Sequence, residues 1–282
     1  MNNNSHAAPS RTTILSIKNK GGVGGSHIAM ATATVMRMVG ARHFTTALID
    51  LDGSTGTSIN RIGERDPDGM ILADQTFEAG VPAFNVLRKE ERDKLFDITE
   101  IEDRFLILDG PATSLDTFGA LTENLAAPEW VEHNRACGRS LIVMIPITPS
   151  LSSIVDVPKA IELFGPDAHY VVVRSMRGCS PDDYVLWDAP DFPDRYGRVV
   201  SGRSKARLAE VGGVVLDMPA LNAGVLARAE ALKITFDEAV GSTQLRAAER
   251  ISVRNWLAAW AQQLRGIHGL LGLDAEFAWR FA

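Results

Sequence analysis

Cysteine is almost absent: Cys137 and Cys179 are the only two in 282 residues. Two cannot build a disulfide framework, and a chain this long buries enough apolar surface to fold without staples. Long apolar runs are also missing. Segments such as Leu141 to Ile145 fall far short of the roughly 18 residues of a membrane span. The opening MNNNSHAAPSR has no apolar stretch of a secretory leader and reads as a polar tail. The six histidines (His6, His27, His43, His133, His169, His268) show no metal-ligand spacing, and no C-x-x-C or G-x-S-x-G occurs. These absences point to a cytoplasmic, globular protein, and its 45% hydrophobic and 23% charged residues are ordinary for that class.

An excess of positive charge is also lacking: the net of −6 argues against a protein coated in nucleic acid. Its distribution is uneven. Residues 64 to 104 carry twelve acids and six bases, and RKEERDK within them predicts a solvated helix. Residues 195 to 207 hold Arg195, Arg198, Arg203, Lys205 and Arg207 with no acid. Such a cluster suits a phosphate backbone, as in DNA, but a solvated loop and helix start is the simpler reading.

What is present is alternation. Short apolar runs at 12–17, 45–50, 105–109, 141–145, 170–173 and 213–216 read as strands. Apolar residues at helical spacing follow, first over Ser26–Val39 and last over Gln244–Gln263. Strands apolar on both faces belong inside a parallel sheet covered by helices. The fold expected is α/β, a doubly wound and mostly parallel sheet in one domain over 12–266. Residues 1–11 form the polar tail, 178–202 an insertion or long loop, and 267–282 a tail. That last tail has too few basic residues for a membrane anchor and is expected to dock on the body or a partner. Trp130, Trp187, Trp256 and Trp260 read as packing residues.

The sharpest motif lies between the first strand and the first helix: Lys20-Gly21-Gly22-Val23-Gly24-Gly25-Ser26. Glycines let a backbone curl around an anion, and a helix N-terminus offers unpaired N–H groups. A full phosphate loop ends Gly-Lys-Ser/Thr; here Gly25 stands in the lysine's place. His27 is either a phosphate contact or a solvated helix-start histidine, and Lys18 reads as a strand-end surface residue. Asp50 and Asp109 close two strands, where a carboxylate either meets Mg²⁺ or caps a neighbouring helix.

The run from Lys20 to Ser26 resembles the deviant Walker A motif of the ParA/MinD superfamily of P-loop ATPases. Further resemblances are Leu48-Ile49-Asp50-Leu51-Asp52 to its D-x-D strand, Leu106 to Pro111 to its Walker B strand, and Met144 to Pro149 to its strand ending in a proline turn. Asp217-Met218-Pro219 resembles its segment beside the base. The resemblance implies a bound ATP or ADP with Mg²⁺, the nucleotide held by Lys20, Gly21, Gly22, Val23, Gly24, Gly25, Ser26, His27, Arg174 and Pro219. It implies Mg²⁺ at Ser26, Asp50 and Asp109, and catalytic roles for Lys20, reaching across a nucleotide-dependent homodimer, and for Asp52 at the attacking water. Three departures stand out: Gly25 for the lysine, Gly53-Ser54 for Pro-Gln, and Arg174-Ser175 for the Asn that reads adenine. They imply weak or absent hydrolysis. The function expected is plasmid or chromosome partition, positioning or conjugation. The alternative is a regulatory scaffold acting through protein contacts. A ligase or reductase relative of the same fold lacks support, because the two cysteines are not arranged for it.

Overall fold

The computed structural model describes residues 11–40, 43–53, 56–121, 125–189, 191–199, 203–277 and 279. The chain begins β1 (Arg11–Ser16), α1 (Gly25–Gly40), β2 (Thr46–Asp50), α2 (Thr57–Ile62), α3 (Lys94–Thr99) and β3 (Phe105–Asp109). It continues through α4 (Ser114–Phe118), α5 (Ala127–Ala136), β4 (Arg139–Ile147), α6 (Leu151–Ile154), α7 (Asp156–Phe164) and β5 (His169–Ser175). It closes with α8 (Val185–Asp188), α9 (Arg203–Glu210), β6 (Val214–Met218), α10 (Ala223–Ala231), α11 (Phe236–Gly241) and α12 (Ala247–Gly266).

All six strands pair in parallel, in the order β2-β3-β1-β4-β5-β6. Because side chains alternate across a strand, each apolar run feeds two cores. Ile14, Ile107, Ile142, Met144 and Val171 pack under α1 and α12. Leu15, Leu106, Leu108, Val143 and Val172 pack under α5 and α7 on the other face. β1 lies at the centre; from it the chain crosses to the edge strand β2, returns to β3 between the two, and then passes to the other side through β4, β5 and β6. A cleft is expected where that direction reverses, beyond the carboxyl end of β1.

Four local features bear on the sequence expectation. Arg11 belongs to β1 rather than to the tail, and residues 1–10 lie outside the described residues. The predicted helix at RKEERDK is a single 3₁₀ turn, Lys89–Glu91, because no apolar stripe there has a core to face. Within 178–202, Tyr184 and Trp187 are fully buried, so this stretch is pinned to the core by two aromatics. Past Gly266, Ile267 and Leu271 are buried, and Thr12 Oγ1 donates to the Leu271 carbonyl at 3.3 Å. The segment after α12 is therefore docked on the body. The acidic stretch is fastened by Arg37, whose guanidinium donates to the carbonyls of Thr46, Phe77, Ala79 and Gly80. Among the described residues no helix is long and apolar enough to cross a membrane.

Trp260 ties α12 to α1: it is fully buried, and its Nε1 donates to Thr32 Oγ1 at 3.1 Å. Trp260→Ala is expected to cost about 3–5 kcal/mol of unfolding free energy in urea titration. Trp260→Phe keeps most of the packing, loses the hydrogen bond and is expected to cost about 1–2 kcal/mol.

Candidate functional site

Between β1 and α1 the glycine loop curls. Gly22 and Gly24 have φ of +80° and +94°, a region that residues bearing a Cβ rarely enter. Val23 is buried and anchors the loop's centre, while Ser16 Oγ donates to the Gly25 carbonyl at 3.1 Å and fixes its end. The first turn of α1 then opens into a cleft of about 300 Å³. It is lined by Gly22, Gly24, Gly25, Ser26, His27 and Lys18 together with Ser175, Arg177, Met218, Pro219, Ala220 and Leu221. The first N–H groups of a helix have no acceptor within it, so this end suits an anion.

Lys18 is the main correction to the sequence reading. Expected on the surface, it is 7% exposed. Its Nζ lies 3.3 Å from Asp109 Oδ1 and also donates to the Gly110 carbonyl. Its backbone is clamped too: Lys18 N donates to Ser114 Oγ at 3.1 Å, and its carbonyl accepts from Ser114 N and Oγ at 3.1 and 2.9 Å. A Cβ on Gly25 would sit 2.6 Å from Lys18 Cδ and 2.8 Å from its Nζ. The space that a side chain at position 25 would enter is filled by Lys18. The signal in the sequence was a lysine at the end of β1 together with a glycine where a lysine belongs.

Asp50 and Asp109 are register partners on β2 and β3, yet they do different work. Asp50 is fully buried and accepts backbone N–H groups of Asp52, Ser58 and Ile59 at 3.0, 2.8 and 3.1 Å. It therefore caps α2, whose own N-cap, Gly56, has no side chain to do so. Burial, and then the charge of Asp109, push its acid up to about 7 against the pull of those N–H groups. Asp109 gives Oδ1 to Lys18 and accepts Ser58 Oγ at 2.7 Å on Oδ2. Asp52 is half-buried, and burial raises its acid while the Lys18 charge lowers it, which places it in the same field.

Mg²⁺ at Ser26, Asp50 and Asp109 fits this arrangement poorly. Asp50 is committed to three amides and Asp109 to an ammonium and a hydroxyl.

The remaining predicted residues divide. Gly22, Gly24, Gly25, Ser26, His27 and Pro219 line the cleft. Lys20 is exposed, with Nζ 3.0 Å from Ser152 Oγ and 3.5 Å from Ser150 Oγ at the start of α6, and does not line it. Gly21 is exposed beside it. Arg174 is also outside the lining. It forms a two-point ion pair with Asp217, at 2.7 and 2.9 Å, and lies over the Tyr184 ring. It is held across adjacent strands rather than aimed at a base; Ser175 and Arg177 line the cleft there instead. His27 is partly buried against Phe236 and Trp256, at ring-centroid distances of 5.3 and 4.9 Å. Burial first, then the charges of Arg61 and Arg177, lower its pKa to about 4, so it is neutral at pH 7. A neutral imidazole packed between aromatic rings matches neither the solvated reading nor a cationic phosphate contact. Arg61 is a cleft residue that the sequence reading missed. It lies over the Phe236 ring, 3.7 Å from Glu230.

Three of the five basic side chains pair on the surface with acids flanking the cluster in sequence. Arg198 pairs with Asp194 at 3.0 Å, Lys205 with Asp188 at 2.5 Å and Arg207 with Glu210 at 2.8 Å, while Arg195 lies over Tyr196.

Lys18 and Asp109 are expected to behave as a unit in equilibrium unfolding. Lys18→Met or Asp109→Asn alone strands a buried group and should cost about 3–5 kcal/mol. The double variant should cost well below the sum, and additive losses would show that the pair is not coupled.

No family profile and no curated protein matches the chain. Solved structures do share its course. A nucleotide-binding protein from Archaeoglobus fulgidus in complex with ADP is 14% identical, with 79% of this chain and 87% of that one covered and a TM-score of 0.42. A Cyanothece McdA variant in complex with ATP is 12% identical, covering 94% and 98% at a TM-score of 0.45. A Borrelia burgdorferi B31 protein named for plasmid partition, bound to AMPPNP, is 12% identical, covering 90% and 99% at 0.42. These are likenesses of chain course at low identity.

Proposed function

We propose that the chain is a nucleotide-binding switch of the ParA/MinD type, acting in partition, positioning or conjugation, that holds ATP or ADP and hydrolyses it weakly or not at all. The observation that carries this reading is the cleft. Its anion-seeking end, at the left-handed glycines and the first turn of α1, is continuous with an apolar wall at Met218, Pro219, Ala220 and Leu221. A phosphate-bearing aromatic ligand suits that polarity. The motif Lys20 to Ser26 supports the same class.

Weak turnover follows from where charge is held. No lysine extends from position 25, and the Lys18 ammonium is bound to Asp109 and Gly110. A phosphoryl group in transfer needs cationic stabilisation that appears in the transition state, and loss of one such donor costs about 3–4 kcal/mol of barrier. Exposed Lys20 remains available to a second copy, so the proposal includes a nucleotide-dependent homodimer. The scaffold reading keeps one point in its favour: the acids that would face a cofactor are already satisfied by the chain itself.

Calorimetry with ATP and ADP, paired with phosphate release, separates the two. The wild type is expected to bind with negligible release. Gly24→Val is expected to lose binding, since position 24 has φ +94°, a backbone conformation that a β-branched residue resists. A wild type that binds neither nucleotide transfers the protein to the scaffold class.

A further inference from the structure

Lys18 and Gly25 are complementary. Lysine stands two residues past the end of β1 and glycine at the start of α1, and the lysine stem lies where a side chain on the glycine would be. The ammonium is thereby delivered to the anion end of the cleft from the sheet side instead of from the loop. It is also the positive group nearest the acids there: it pairs with Asp109 and acts on the charge of Asp52. Those carboxylates would repel a polyphosphate. A divalent cation usually relieves such repulsion, but here Asp109 and Asp50 have their oxygens engaged by Lys18, Ser58 and backbone amides.

We infer that Lys18 is the phosphate-binding cation of this site, standing in both for the missing loop lysine and for the divalent metal, so that the protein binds nucleoside di- and triphosphates without Mg²⁺. An ammonium has three N–H donors. Two go to Asp109 and Gly110, and the third is left for a phosphate oxygen in the cleft that Lys18 lines. The Ser114 clamp on its backbone and the packing of its stem against Gly25 hold it in place before a ligand arrives. This assignment rests on the nucleotide reading and adds which residue carries the charge and what ion is dispensable.

The test is ADP binding by calorimetry, with Mg²⁺ in one arm and EDTA in the other. Wild-type affinity is expected to agree between the arms within about threefold. Lys18→Met is expected to weaken binding about 10- to 100-fold in EDTA, the effect of losing one charge-assisted contact. Part of that loss should return when Mg²⁺ is added, because Asp109 is then released. Should Lys18→Met fold poorly, Lys18→Met/Asp109→Asn removes both charges at once and is expected to bind weakly in both arms. The exchanged variant Lys18→Ser/Gly25→Lys is expected to bind with a clear dependence on Mg²⁺. Residues that only hold the fold together would not change the metal dependence. Two results overturn the assignment while leaving the nucleotide reading intact: wild-type binding that vanishes in EDTA, or Lys18→Met binding at wild-type strength. Wild-type protein that binds no ADP in either arm overturns both.

Discussion

The buried pair of Lys18 and Asp109 sets the terms for the carboxyl edge of the sheet. Removing two charges from water is costly, and their attraction offsets it only when the remaining donors and acceptors are satisfied. Here the satisfaction is nearly complete. Ser58 takes the other Asp109 oxygen, the Gly110 carbonyl takes a second Lys18 proton, and Ser114 clamps the Lys18 backbone. The ends of β1 and β3 and the starts of α2 and α4 are thus fixed together. The same pair bears on position 25, where a Cβ would meet the lysine stem and force it to shift.

Two aspartates in register on adjacent strands illustrate how environment assigns roles that composition cannot. Asp50 and Asp109 are the last residues of β2 and β3. The backbone amides of α2 converge on Asp50, which becomes a remote helix cap. The ammonium from β1 converges on Asp109. One strand end is thereby structural and the other electrostatic. The sequence offered a strand-end carboxylate two readings, Mg²⁺ or a helix cap; Asp50 takes the second, while Asp109 holds an ammonium that neither reading named.

Much of the fold was legible because parallel strands buried on both faces read as unbroken apolar runs, and α1 and α12 carry a helical stripe. The glycine loop was legible because it sits between a strand and a helix. What was missed has two causes: partners distant in sequence, and local partners outside the stretch considered. Lys18 looked like a surface lysine because Asp109 lies 91 positions away. Arg174 was read only as a departure at the nucleotide site, because its bond to Asp217 depends on the pairing of β5 with β6. The basic cluster looked unneutralised because Asp188, Asp194 and Glu210 lie just outside its window. Tyr184 and Trp187 sat in a stretch rich in proline and aspartate, where composition pointed to a loop although two aromatic rings reach the core.

Moving a lysine from the helix start to the strand end changes what it can do. A lysine on the loop has a solvated, mobile stem and can follow charge as a phosphoryl group moves. The Lys18 stem is packed and its amine is already bound, so little rotamer entropy is left to lose when a phosphate arrives. Its position is preorganised for the ground state, and the acceptors that hold it resist any shift toward a departing group. Only interactions that strengthen in the transition state raise turnover. A cation fixed in this way favours holding a nucleotide over cleaving it.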